Sequence, residues 1–250
     1  MVNDARLTGK TALVTGSGKR LGAAIARHLH AAGADVVLHY RRSIDAAERL
    51  RDELNAARPG SAALAAADIR DVSQLPGLID AALAAFGRLD VLVNNASTFY
   101  PTAIGTITPD HWEDLIGTNL KAPLFLSQAA APHLRPTRGL IINMVDIHAQ
   151  RPLPEHTVYC VAKAGLAMLT RSLARELGPE IRVNGIAPGP VLWPEGGLEP
   201  ELQNEIIAKT ALKRAGAPDD IARAALYFAC DASYVTGQIL AVDGGRSIGW

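Results

Sequence analysis

The chain has 250 residues, which suits one large α/β domain or two small ones. Its 48% apolar content is rich in alanine and poor in aromatics, which favours helices packed on a sheet. Lys plus Arg and Asp plus Glu balance at 25 each with no basic run, no apolar run approaches the roughly 20 residues that span a bilayer, and Cys160 and Cys230 make no disulfide framework; nothing points to nucleic acid or membrane partners.

Short β-rich runs alternate with alanine-rich helical stretches along the chain. Strands are expected at 11–15, 35–39, 62–66, 90–94, 140–145, 182–187 and 238–242. Helices are expected at 21–32, 45–57, 75–86, 112–131, 158–177 and 219–230. Strand followed by helix in this repeated order implies one doubly wound, seven-stranded parallel sheet with helices on both faces. No repeat or low-complexity linker divides the chain, so residues 1–250 read as one domain. A Pro/Gly-rich segment follows the sixth strand. Ligands of open parallel sheets sit beyond the carboxyl ends of the strands, so the stretch at about 188–210 is a candidate substrate lid, with a plain surface loop as the competing reading.

The first strand runs into Thr15-Gly16-Ser17-Gly18-Lys19-Arg20-Leu21-Gly22, which opens the first helix. Glycines at such a junction let a phosphate approach the backbone, and the helix N-terminus offers N–H donors. Gly16, Lys19, Arg20, Leu21 and Gly22 are therefore candidate nucleotide-binding residues. The second strand ends in His39-Tyr40-Arg41-Arg42-Ser43. NAD sites place an acidic residue there for the ribose 2′-hydroxyl; two arginines and a serine suit a 2′-phosphate instead, so NADPH is the expected cofactor. Asp68 follows the third strand, where a carboxylate can take the adenine amino group or can cap a helix.

Further along, Asp146 closes the fifth strand, and Tyr159 and Lys163 stand four apart on one expected helix face. A lysine there is expected to lower the phenol's pKa and to hold a cofactor ribose, making Tyr159 a proton donor beside a second proton-handling group, Asp146. No Cys/His cluster has metal-ligand spacing. His148 and His156 flank the site and are read as structural.

With these pieces in hand, the chain resembles the short-chain dehydrogenase/reductase family over almost its full length. The resemblance rests on the glycine-rich turn, Asn94-Asn95-Ala96, Asn119, the Tyr159/Lys163 pair, Pro188-Gly189 and Asp243-Gly244-Gly245. It implies a Rossmann-fold oxidoreductase, a homotetramer, and a proton relay through Asn119, Tyr159 and Lys163. It also implies cofactor contacts at Asn95, Ala96, Ser97, Pro188 and Gly189. Two departures stand out. Arg20 and Asp146 occupy positions where most members carry glycine and serine. Both are similar to the pteridine reductase subgroup, as are the motifs at 18–22, 39–43, 94–102, 145–149 and 188–195.

That subgroup implies catalytic roles for Asp146, Tyr159 and Lys163, and stacking of a pterin on Phe99. Ser97 and Arg20 then face the substrate, and Trp193 either covers it or anchors its loop. The implied reaction is NADPH-dependent reduction of a pterin, dihydropterin or dihydrofolate. A carbonyl reductase of acyl-thioester, sugar or steroid ketones, and a non-catalytic dinucleotide sensor, are the competing readings. Residues 1–10 are polar and unlike a signal peptide, so a cytoplasmic protein is expected and the sequon Asn95-Ala96-Ser97 reads as coincidence. The tail ends in Trp250, expected to bury against a neighbouring subunit.

Overall fold

The computed structural model describes residues 5–193 and 197–248. Trp250 and residues 194–196 of the lid candidate lie outside the described residues. Seven parallel strands form one sheet in the order β3-β2-β1-β4-β5-β6-β7. They are β1 (Thr11–Val14), β2 (Asp35–Tyr40), β3 (Ala62–Ala66), β4 (Val91–Asn94), β5 (Leu140–Met144), β6 (Arg182–Pro188) and β7 (Ile239–Val242). The order reverses between β1 and β4, and a crevice opens at such a switch point. The central strands are buried on both faces, so their side chains alternate between two cores. In β1, Ala12 and Val14 face one core with Ile25, Leu29 and Phe228, while Leu13 faces the other with Leu92, Leu126 and Ile141.

Helices α1 (Arg20–Ala31), α2 (Ile44–Ala57) and α8 (Pro218–Cys230) cover the first face, and α3 (Leu75–Phe86), α5 (Ala122–Leu134) and α6 (Thr157–Leu177) the second. The stretch 112–131, expected as a single helix, is split. It consists of α4 (Pro109–Ile116), a π-helical turn at Gly117–Lys121, and α5. α4 begins earlier than the apolar pattern suggests because Thr108 and His111 form a capping box and Pro109 sits in the first turn. At the π turn, the Asn119 side chain donates to Leu115 O at 2.9 Å and to Thr98 O at 3.0 Å, inserting itself into the helical ladder. A further helix not expected from the sequence, α7 (Pro200–Ala208), lies within the lid candidate; none of its residues is buried, so no apolar stripe announces it.

Among the described residues, no helix is long and apolar enough to cross a membrane, and no group of His, Cys, Asp and Glu side chains could hold a metal ion.

Candidate active site

The turn after β1 is shaped by glycine. Gly16 has φ +62°, and a Cβ on Gly22 would lie 2.4 Å from Gly16 O and 2.5 Å from Asn95 Nδ2. Asn95 threads into this turn, donating from Nδ2 to Thr15 O at 2.8 Å, and Thr15 Oγ1 in turn accepts from the N–H groups of Asn95 and Ala96 at 2.9 and 3.0 Å. Thr15 thus joins the ends of β1 and β4, a function the sequence does not reveal because it sits at the close of an ordinary strand pattern. His39, at 2% exposure, uses both ring nitrogens: Gly16 N–H donates to Nδ1 at 3.0 Å and Nε2 contacts Ala67 O at 3.1 Å. That pairing sets the neutral Nε2–H tautomer, and burial pushes its pKa down. His39 therefore shapes the turn through its ring.

A cavity of about 530 Å³ opens above this turn. Its floor is Gly16, Lys19, Arg20, Leu21 and Gly22, and one wall is His39, Tyr40, Arg41, Arg42 and Ser43. Asn95, Ala96 and Ser97 close the other side with Thr98 of the same 94–102 motif, together with Ile69 and Thr118, which no motif identified. Asp68 instead lines an adjoining cavity. It is not a helix cap, since Asp71 caps the turn at Val72–Gln74; its carboxylate is held by Arg70. Pro188 and Gly189 are outside the cavity's lining. A Cβ on Gly189 would lie 2.5 Å from Asp243 Cβ, so this glycine lets the Asp243-Gly244-Gly245 loop close on the end of β6.

Arg20 is unusual. It is the first residue of α1 and has φ +55°, the left-handed region that glycine occupies at least cost. Its guanidinium reaches across to donate to Trp193 O at 2.9 Å, so the Trp193 backbone is tied to the cavity floor.

Beyond the far end of the cavity lie the remaining residues. Tyr159 Oη donates to Asp146 Oδ2 at 2.7 Å, while Asp146 Oδ1 accepts from His148 N at 2.8 Å and so caps the turn at Ile147–Ala149. Both Asp146 oxygens act as acceptors, which leaves the proton of the pair on the phenol. The expectation that Lys163 lowers the phenol's pKa is corrected: burial first, and then the Asp146 charge, raise it well above its usual value. The Lys163 ammonium is 2% exposed, donates to Met144 O at 2.8 Å and lies 5.6 Å from the Tyr159 ring centroid. Burial pushes its pKa down to about 8, partly opposed by Asp146. Ser97 donates to Asn119 Oδ1 at 2.6 Å, linking the cavity to the π turn. Phe99, 45% exposed, meets Tyr159 edge-on at 4.8 Å. His156 stacks on Phe99 at 4.6 Å and 16°, with its Nδ1 2.8 Å from Pro154 O, and so supports that ring.

Residues 16–247 match the family model described as enoyl-(acyl carrier protein) reductase. The chain is 38% identical to pteridine reductase 1 of Leishmania tarentolae, covering 96% of this chain and 97% of that protein. It is 36% identical to the 3-oxoacyl-(acyl-carrier-protein) reductase FabG of Staphylococcus aureus, covering 94% and 97%. Among solved structures, that of FolM alternative dihydrofolate reductase 1 from Brucella canis, complexed with NADP, superposes with a TM-score of 0.91 at 32% identity and covers 98% of this chain and 97% of that one. The fold, the glycine turn at the sheet's switch point and these likenesses agree: the chain belongs to the short-chain dehydrogenase/reductase family, in which it is similar to the pteridine reductases.

Proposed function

We propose that the protein is an NADPH-dependent reductase of a pterin or dihydrofolate. The observation that carries this reading is the Asp146–Tyr159 hydrogen bond of 2.7 Å beside the half-exposed Phe99 ring. A flat nitrogen heterocycle stacked on Phe99 gains about 0.5–1.5 kcal/mol beyond its buried area. Its ring nitrogens then meet a carboxyl–phenol pair in place of a single hydroxyl.

The cavity fits the dinucleotide. Its floor closes tightly because Gly22 lacks a Cβ, which would strike Gly16 O and Asn95 Nδ2, the N-terminus of α1 favours phosphate, and Arg41, Arg42 and Ser43 suit the 2′-phosphate. Bound NADPH supplies the hydride that reduces a C=N carbon. The matching proton goes to the substrate nitrogen from the Tyr159–Asp146 pair. Tyr159 stays protonated at neutral pH, and its bond points that proton at Asp146, whose carboxyl relays it to the substrate nitrogen and leaves a phenolate beside the Lys163 ammonium. His148 N–H fixes the Asp146 carboxyl, and the Lys163 ammonium holds a positive charge beneath the phenol. Ser97 supplies a hydroxyl at the substrate edge, held by the buried Asn119 amide behind it, and Arg20 and Trp193 border the entrance. Residues 188–210 act as the lid. The assembly is a homotetramer in the cytoplasm, with the exposed Leu124, Val161 and Met168 of α5 and α6 covered by neighbouring subunits.

Carbonyl reduction is the second reading, favoured by the 36% identity to a 3-oxoacyl-(acyl-carrier-protein) reductase. Following NADPH oxidation with dihydrobiopterin, dihydrofolate and a 3-oxoacyl thioester separates the two. Turnover of either pterin compound is the expected result. Turnover of the thioester alone refutes the pterin assignment.

A further inference from the structure

Arg41, expected to meet the ribose 2′-phosphate, has an acidic neighbour: Arg41 Nη1 lies 3.6 Å from Asp68 Oδ2. A carboxylate there opposes a 2′-phosphate in two ways. It repels the phosphate directly, and it competes for the arginine that should bind it. The structure contains a countermeasure. Arg70 grips Asp68 with two prongs, Nη2 to Oδ2 at 2.8 Å and Nε to Oδ1 at 3.2 Å, while Arg70 N–H donates to Oδ1 at 3.1 Å. Arg41 is left at a distance too long for a hydrogen bond, with its fork available to the cavity it lines. Arg70 is itself held in place. Its Nη1 donates to Asp114 Oδ1 at 2.9 Å, and Asp114 Oδ2 accepts from Tyr100 Oη at 3.1 Å. Lys121, Asp71, Asp110 and Glu113 complete the charged lining of the adjoining cavity.

We propose that Arg70 is a positioning residue for cofactor choice: by engaging Asp68 it frees Arg41 for the 2′-phosphate and cancels the carboxylate's charge beside it. The proposal rests on the NADPH reading above. Among Arg41, Arg42 and Arg70 against Asp68 and Asp114, the formal balance is one positive charge with Arg70 and zero without it. The Arg70 bonds also hold the Asp68 carboxyl down at about 2, so it carries its full charge at neutral pH and needs this neutralisation.

Calorimetric titration with 2′,5′-ADP and with 5′-AMP isolates the 2′-phosphate, because the two ligands differ in that group alone and the ratio of their affinities cancels every adenine, ribose and 5′-phosphate contact they share. Wild type is expected to favour 2′,5′-ADP. Arg70→Gln should reduce that ratio by roughly tenfold, the scale of coupling between directly contacting charges, with 5′-AMP binding little changed. Arg70→Lys, which keeps the charge, should retain most of the preference. Asp68→Asn, which removes the opposing charge, should raise the ratio and make Arg70→Gln almost silent in its background. The Asp68→Asn result stands even where Arg70→Gln fails to fold. A ratio unchanged in Arg70→Gln, or unchanged in Asp68→Asn, overturns the proposal while leaving the NADPH reading intact. A wild type with no preference for 2′,5′-ADP overturns both.

Discussion

Arg20 offers a direct test of whether this chain holds backbone strain in exchange for a ligand contact. Its φ of +55° lies where a non-glycine residue costs about 1–2 kcal/mol. Glycine removes that cost but returns about 0.5–1 kcal/mol through the greater freedom of the unfolded chain. Alanine keeps the strain. Both substitutions lose the guanidinium and its 2.9 Å bond to Trp193 O, so that loss cancels when the two variants are compared. Arg20→Gly should therefore be more stable than Arg20→Ala by about 0.5–1 kcal/mol. In a chain of this length that is a Tm difference of roughly 1–4 °C. Thermal melts followed by circular dichroism provide the measurement, with NADPH titrations alongside. The two variants should bind NADPH equally poorly compared with wild type. If Arg20→Ala melts at or above Arg20→Gly, the left-handed backbone is not strained and the argument fails.

Three further outcomes are expected. Lys163 has a folded-state pKa of about 8 against an ordinary 10.5, so between those values the unfolded chain holds a proton that the folded chain has lost. Stability therefore rises with pH across that window, and below it the buried ammonium costs roughly 3 kcal/mol. Lys163→Met should be more stable than wild type in urea at pH 7, with the gap closing towards pH 10.5, and should lose the decline in activity as pH rises through about 8; a gap independent of pH contradicts this. Tyr159→Phe should lower kcat by about 10²–10⁴-fold, whereas Asp146→Ser should depress pterin reduction more than any ketone reduction, and equal losses on both substrates would speak against a pterin-specific role for the aspartate. Gly22→Ala places a Cβ 2.4 Å from Gly16 O and should destabilise the fold by about 1–3 kcal/mol while raising the Kd for NADPH; unchanged binding by fluorescence titration would show that the turn tolerates displacement.

The strands and the site's main parts were legible in the sequence because both depend on local pattern. β-rich runs separated by helical stretches specify a parallel sheet, and all seven expected strands match within two residues at each end. The glycine turn and the Tyr159/Lys163 spacing declare their geometry because each lies within a few residues of backbone. What the sequence withheld depends on approach between distant segments. The π turn arises because Asn119 finds Leu115 O and Thr98 O, and the Thr98 contact requires the loop after β4 to be in place. The high pKa of Tyr159 follows from burial, which no spacing encodes. Arg70 stands 44 residues from Asp114, and Arg20 stands 173 residues from Trp193. Neither pair has a periodicity to reveal it, since only the closed sheet brings the loops at its carboxyl edge together.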